Sequence, residues 1–382
     1  MMHSLNLMVL LHHQNYLHMS QPTRIRFGLI LGILFTNLLG QAQQQLWLPR
    51  EPSPGATVSQ IVGISTIEVN YSRPSVKGRV VWGTLVPYGW NVQGFGLGNS
   101  APWRAGANEN TVLHLSSDAK IEGTLVPAGD YGLFFTINKD NTGEVILSKD
   151  YKSWGSFFYD AKNDQLRAKI TIRDMPVSTE RLDYSFDSVS KNMAELDLNW
   201  EKKQFPVKIE FAVDQIVMDN ATELLKGSTA FLWQNLNAAA TYALQNNMDT
   251  AKAMQWINRS LAANQNYNTL RIKAAILKKE GDNAAAANIM QTALPIATEN
   301  DLNIYGYELL GENKFPQAID VLKLATQKHP ESANAWDSLG EAYALSGDKK
   351  NAIPCFKKSL SLNPPAPTKA NSEKYMKQLG VM

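Results

Sequence analysis

"ANAWDSLGEAYALSGDKKNAIPCFKKSLSLNP", residues 333–364, decides half of this fold. Trp336, Leu339, Gly340 and Tyr343 mark its first part at helical spacing. Ala352 and Phe356 mark the second, and Pro364 closes the unit. The same marks return 34 residues upstream: Pro330 answers Pro364, Gly306 answers Gly340, Ala318 answers Ala352, and Ala325 answers Ser359. Two earlier units are more degenerate. "KAAILKKEGDNAAAANIMQTAL" places Ala286 and Ala293, and "YALQNNMDTAKAMQWINRSL" places Ala253 and Ser260, at the same marks, with spacings trimmed to about 32 or 33. Each unit reads as two antiparallel helices that cannot bury their apolar faces alone and so must stack. Gly340 is expected at a close helix crossing with Ala352 opposite. Trp336, Tyr343 and Phe356 are expected in the core, and Cys355 beside them as a buried, inert thiol.

The pattern W-x2-L-G-x2-Y…A-x3-F…P is that of the tetratricopeptide repeat, with Ser359 in place of the usual Ala. The expectation is a four-unit solenoid over residues 214–365. A capping helix follows over 366–382, with Thr368 its candidate N-cap and Tyr375, Met376 and Leu379 on its apolar face. In such arrays the first helix of each unit lines the concave face. Counted from Glu299 and Ala333, the second and fifth positions are Asn300, Asn303, Asn334 and Asp337, and the ninth are Tyr307 and Glu341. A carboxamide carries both donors and an acceptor, so an Asn-lined groove suits the backbone of a bound peptide. The alternative is that these side chains are simply solvated. Lys and Arg are missing from these positions, which points to an extended internal segment rather than a terminal carboxylate.

Upstream of Asp214 the period is two. "TIEVNYS" puts Ile67, Val69 and Tyr71 on one face, and "LRAKITIR" alternates Leu166, Ala168, Ile170 and Ile172 with charged or polar neighbours. "RLDYSFDS" offers Leu182, Tyr184 and Phe186. "AELDLNWE" offers Leu196, Leu198 and Trp200, and "QFPVKIEF" offers Phe205, Val207, Ile209 and Phe211. Turn residues in "PAGDYG" and "KDNTG" separate such runs. Eight or nine short strands without intervening helices indicate an all-β antiparallel sandwich or barrel over residues 57–213.

The 382 residues carry a formal net charge of +2, which excludes a strongly basic nucleic-acid footprint. Arg24 and Arg26 precede the apolar run "FGLILGILFTNLLG", and Gly40 and Ala42 form a small-x-small site. This is expected to be a cleaved export signal over residues 1–42, with Met19 a candidate start, followed by a linker over 43–56. The apolar run is short for a membrane span, and no second run of that length follows, so no transmembrane segment is expected after cleavage. The mature chain would be periplasmic or extracellular. Cys355 is the single cysteine, so no internal disulfide forms. After cleavage only His114 and His329 remain among the histidines, too few for a zinc site built on clustered His and Cys. No metal or cofactor is expected.

Phosphate loops, HExxH, CxxC and GxSxG motifs are absent from the sequence. "GFGLGNS" (residues 94–100) lacks the strand–turn–helix context of a dinucleotide site and reads as a flexible hairpin loop. Glu109, Asp118, Glu122, Asp130 and Asp160 supply carboxylates at apparent turns, the raw material of glycosidase-type chemistry. "YSRPSVKGRVVWG" brings Arg73, Lys77 and Arg79 near Trp82 on one loop. Such a loop can bind an anionic group, or its arginines can pair with local acids. "PWRAGANENT" (residues 102–111) reads either as an ordered turn or as a shallow site in which Trp103, Arg104, Asn108 and Glu109 join the Arg73–Arg79 loop.

"VSQIVGISTIEVNYSRPSVKGR", "GTLVPYG", "QGFGLGNSAPWRAGANENT", "VPAGDYGLFF" and "SWGSFFYD" together resemble the domain of unknown function 2911 of secreted bacterial proteins, over roughly residues 54–213. Extra residues between Gly89 and Pro102 lengthen a loop relative to many members. The resemblance implies an exported compartment and a domain boundary and lends no catalytic residue. The combined expectation is an exported, non-catalytic binding or scaffold protein. Its helical repeats would hold a protein or peptide and its β domain would recognise a second ligand. The alternative is a cell-envelope hydrolase or carbohydrate-binding enzyme with its site in the β domain.

Overall fold

The structure, a computed structural model, describes residues 52–381. The expected export signal and residues 43–51 of the expected linker lie outside the described residues. Twelve strands are described: β1 (Gly55–Val62), β2 (Ser65–Ser72), β3 (Asn91–Val92), β4 (Ser100–Ala101), β5 (Thr111–Leu115), β6 (Ala119–Ile121), β7 (Thr124–Val126), β8 (Gly129–Ile137), β9 (Thr142–Ser148), β10 (Asp164–Thr171), β11 (Arg173–Asp187) and β12 (Met193–Phe211). All pair antiparallel. They form a six-stranded sheet in the order β1-β2-β5-β8-β9-β10 and a four-stranded sheet in the order β11-β12-β6-β7, with β3 and β4 a separate hairpin. Both large sheets are open, so of the two all-β expectations the sandwich is the one observed.

One core unites the two sheets. Ile67, Val69, Leu113, Leu133, Phe135 and Val145 enter from the six-stranded sheet, and Leu182, Tyr184, Leu198, Trp200, Phe205 and Ile209 from the four-stranded one. The runs around Trp200 and Phe205 belong to a single strand, β12. Residues 196, 198 and 200 point inward at even numbers, and 205, 207, 209 and 211 at odd ones. A change of phase inside one strand needs an extra residue. It falls where Glu201 takes a positive φ of 52° and the β11 register shifts between Thr179 and Asp183.

Ten α-helices are described after the sandwich. The first, α1 (Val213–Leu224), places Val213 in the sandwich core, with Ile216 and Val217 packed against it. Four helix pairs follow: α2 (Trp233–Gln245) with α3 (Thr250–Ala263), α4 (Tyr267–Lys279) with α5 (Asn283–Ala293), α6 (Glu299–Gly311) with α7 (Phe315–Lys328), and α8 (Ala333–Leu345) with α9 (Lys349–Ser361). Helix α10 (Ala366–Gln378) ends the array, and its N-cap is Pro365 rather than Thr368, because Pro365 and Pro367 pre-set the first turn. Gly340 does sit at a crossing, yet its partner is Phe356 rather than Ala352. A Cβ at Gly340 would lie 2.8 Å from the Phe356 ring, just as one at Gly306 would lie 2.7 Å from Leu322. Cys355 is buried, and burial pushes its thiol up to about 11.

Candidate functional site

The loops after β2 and before β5 meet. Asn108 Nδ2 donates to Ser72 Oγ at 3.1 Å, and Trp82 packs edge-on to Trp103 at 5.8 Å. Their basic side chains turn elsewhere. Arg73 donates to Asp183 Oδ1 at 2.8 Å and to the Leu182 carbonyl at 2.9 Å. Arg79 donates to the Val76 and Ser75 carbonyls of its own loop. Lys77 holds a positive φ of 49°, and its backbone N–H donates to Glu180. Arg104 donates to the Asn108 carbonyl at 2.5 Å and stacks 4.9 Å over the Phe157 ring. Trp103 stacks on Trp200 at 5.7 Å and packs against the sandwich core. Glu109 is exposed beside a shallow depression of about 480 Å³ that Thr57, Asn70 and Tyr71 also line. The "PWRAGANENT" stretch is thus an ordered turn: Ala105 and Asn108 adopt positive φ, and the Ala105 carbonyl accepts from Thr111 and Tyr184.

The β-domain carboxylates stay apart in their roles. Asp118 accepts from the Ala128 N–H, Glu122 from the Lys208 N–H, and Asp160 caps a short turn through the Lys162 N–H. Asp130 lies 2.7 Å from His114 Nδ1 on the sheet face away from the core. The carboxyl with the most unusual environment was not singled out from sequence. Asp197 on β12 is 1% exposed, no donor reaches either of its oxygens, and Asp187 can accept a hydrogen bond from its protonated form. Burial, then the neighbouring Glu195, push it up to about 7 against the pull of Arg173 at 3.9 Å. Among the described residues, no group of three or more His, Cys, Asp or Glu is placed to hold a metal ion.

The first helix of each pair carries the positions expected to line the concave face. The fifth residues of α2, α4, α6 and α8 are Asn237, Arg271, Asn303 and Asp337, and the ninth are Thr241, Ala275, Tyr307 and Glu341. The C-terminal end of this face is already used. Asp337 accepts from Asn371 at 2.8 Å and from Ser372, both on α10, and burial raises its carboxyl. Glu341 accepts from Tyr307 at 3.0 Å, Asn371 at 3.0 Å and Tyr375 at 2.9 Å. Asn300 and Asn334 are exposed. Asn303 is half-buried, with its Oδ1 lacking a partner. In the last two units these positions hold no Lys or Arg, but the fifth position of α4 is Arg271. Its guanidinium donates to Glu308 at 3.0 Å.

Further toward the N-terminus the array opens. Elsewhere the second helix of a pair packs closely on the first helix of the next, as α3 does on α4 and α7 on α8; α5 and α6 lack such packing. The pairs touch through Tyr267, Leu270, Ala293 and Leu302 near one end. At the other end a cleft of about 740 Å³ separates them. The cause is local. Helix α5 faces the cleft with Ala286 and Ala287, too small to fill the space between units. Ile272, Ala286, Met290, Leu309 and Val321 line the cleft, and Arg271, Lys278, Glu308, Glu312 and Lys314 rim it. Thr241, Arg271 and Ala275 belong to both the cleft and the concave columns, so the two are continuous. A smaller depression of about 430 Å³, lined by Trp233, Asn237, Thr241 and Asn268, extends the face toward α2.

Residues 53–209 match the family described as a protein of unknown function (DUF2911), and residues 333–366 match the tetratricopeptide repeat. The chain therefore carries a DUF2911 domain followed by C-terminal tetratricopeptide sequence. None of the curated proteins matches it. Solved structures similar to its helical part include YrrB, described as a TPR protein with an unusual peptide-binding site (16% identity, 42% of this chain and 84% of that one, TM-score 0.28). MamA of Desulfovibrio magneticus RS-1 (18% identity, 41% and 88%, TM-score 0.28) and pilF of Pseudomonas aeruginosa (19% identity, 43% and 70%, TM-score 0.27) are also similar.

Proposed function

We propose that the protein is an exported, non-catalytic binding protein whose helical array holds an extended peptide segment of a partner, while the β domain recognises a second ligand. The open, apolar-floored cleft between α4–α5 and α6–α7, continuous with the concave face, carries this reading. Stacked repeats bury the apolar faces between neighbouring units, so an apolar inter-unit face left open is a place to hold another segment. Here an apolar floor offers a place for side chains, and the carboxamides beside it offer partners for a peptide backbone. Asn300, Asn303 and Asn334 are the proposed groove contacts, with Arg271 at the rim. Tyr307, Asp337 and Glu341 organise the end of the array. In the β domain the proposed second ligand would meet Lys77 and Glu109 at the surface, with Arg73, Arg79, Trp103, Arg104 and Asn108 shaping the loops beneath. No observation favours the hydrolase alternative.

A displayed peptide library selected against the full chain tests this. Enriched peptides should lose binding to Ala287→Trp, which fills the cleft from an exposed position, and to Asn303→Ala combined with Asn334→Ala. Failure to enrich any peptide, or equal binding to these variants, would refute the groove. Peptides that bind all helical variants but fail on Lys77→Glu would move the function to the β domain.

A further inference from the structure

The cleft between α4–α5 and α6–α7 is spanned by charge where its walls are not packed. At one end the walls are pinned. Tyr267 and Leu270 of α4, Ala293 of α5 and Leu302 of α6 share one buried cluster there. The Lys328 ammonium of α7 donates to the Pro295 carbonyl at 2.9 Å and to the Ala297 carbonyl, both in the segment that connects the walls. Beyond this end the first helices part. Helix α2 packs on α4 and α6 on α8, whereas α4 and α6 lack comparable packing. Two ion pairs cross from α4 to α6 instead. Arg271 donates to Glu308 at 3.0 Å, and Lys278, further along α4, lies 3.7 Å from Glu312. All four side chains line the cleft and are at least one-third exposed. Glu312 also meets Lys314 at 2.5 Å, so it keeps a partner when Lys278 leaves.

A repeat array is held by contacts between neighbouring units, so it bends most easily at the junction with the least buried contact. Exposed ion pairs contribute little each, and salt weakens them further. A junction pinned by packing at one end and held by such pairs at the other has two wall positions of similar energy, and charge decides between them. We propose that the second and third units form a hinge with its pivot at residues 293–298, and that the Arg271–Glu308 and Lys278–Glu312 pairs are the latch that sets the width of the cleft. Screening or removing the pairs lets the walls swing apart about the packed end. As a gate for a bound segment the latch rests on the peptide groove proposed above; the hinge itself does not.

Spin labels test the hinge directly. Ala284 of α5, Gln317 of α7 and Lys350 of α9 are exposed and stand near the starts of three successive second helices. Labels at 284 and 317 report the distance across the cleft. Labels at 317 and 350 report the same step across the packed junction of the third and fourth units. Both are read by double electron–electron resonance on the full chain carrying Cys355→Ala. Between about 0.1 M and about 1 M sodium chloride the screening length falls from about 10 Å to about 3 Å. The 284–317 distribution should lengthen and broaden over that range, and the 317–350 distribution should not. Arg271→Gln with Lys278→Gln should give the wide distribution already at the lower salt. Arg271→Glu with Glu308→Arg, which keeps a pair of reversed sign, should keep the narrow one. A cleft distance that ignores both salt and the Gln pair would overturn the proposal. So would an equal change at both junctions, since that would be loosening of the whole array. No peptide is present in these measurements, so a latch that fails leaves the groove standing, and a groove that fails leaves the hinge standing.

Discussion

Asp197→Asn should stabilise the β domain more at alkaline pH than at acidic pH. The side chain is 1% exposed, no donor reaches its oxygens, and only its protonated form can hydrogen-bond to Asp187. Its carboxyl moves from the usual 3.8 to about 7, chiefly through burial and then through Glu195, with Asp187 adding to the same direction. A carboxyl whose folded value is raised favours folding when protonated. Its contribution is complete below the unfolded value and is lost as pH rises through the folded one. A rise of about three units at 1.36 kcal/mol each sets the loss at roughly 4 kcal/mol between about pH 4 and pH 8. Asn is close in shape to the protonated acid and does not ionise, so the variant should escape that loss. Urea unfolding of both proteins, followed by tryptophan fluorescence at about pH 5 and about pH 8.5, reads the difference. Groups that titrate alike in both proteins cancel. With Asn the more stable, the gap should be roughly 1–2 kcal/mol at the lower pH and roughly 4 kcal/mol at the higher. A gap that is the same at both values would mean that Asp197 does not titrate in this window and that its surroundings solvate the charge.

Gly340→Ala should cost about 1–3 kcal/mol, because the new Cβ would lie 2.8 Å from the Phe356 ring, whereas Lys350→Ala should fall within about 0.5 kcal/mol; calorimetric melting of the two variants compares them. A fragment of residues 43–224 should melt higher than one of residues 43–213, since Ile216 and Val217 pack on the sandwich and only the longer piece keeps them. Thr298→Ala should cost about 1 kcal/mol by removing the α6 capping box with Asp301, measurable by denaturant unfolding. N-terminal sequencing of the protein recovered from its native cell should begin near Gln43, and recovery of the uncleaved chain from the cytoplasm would contradict export.

Alternation and the 34-residue offset made both halves legible, because each is a local repeat in sequence. Ile67, Val69, Leu196 and Leu198 could be assigned to the core from their own neighbours alone. What the sequence hid was long-range or conformational. The phase slip between Trp200 and Phe205 rests on a positive φ at Glu201, a residue with no propensity that announces it. The repeat offset relates Gly340 to Gly306 but does not tell which side chain crosses to it. Phe356 does so because a large ring needs the space a glycine leaves, as Leu322 does for Gly306. The two β-domain loops do meet. The pairing of Arg73 with Asp183, 110 residues away, is what turns one of their cations from a candidate ligand contact into a strut.

The helical groove shows the same division between position and availability. Asp337 and Glu341 stand where the repeat register puts groove contacts, yet each carboxylate is committed to the last helix. Asn371, Ser372 and Tyr375 supply three hydroxyl or amide groups that would otherwise face solvent. A solenoid end must be closed by polar contacts, and this one spends its concave acids on that closure. Under the function proposed above, the partner would be held at the second and third units. There Ala286 and Ala287 of α5 leave the helices unsealed, and Arg271 at the fifth position stands at the rim of the opening. Sequence degeneracy and function are linked on this reading: the repeat that departs furthest from the pattern is the one that fails to fill its own interface, and the unfilled interface is the place where a ligand gains most by binding.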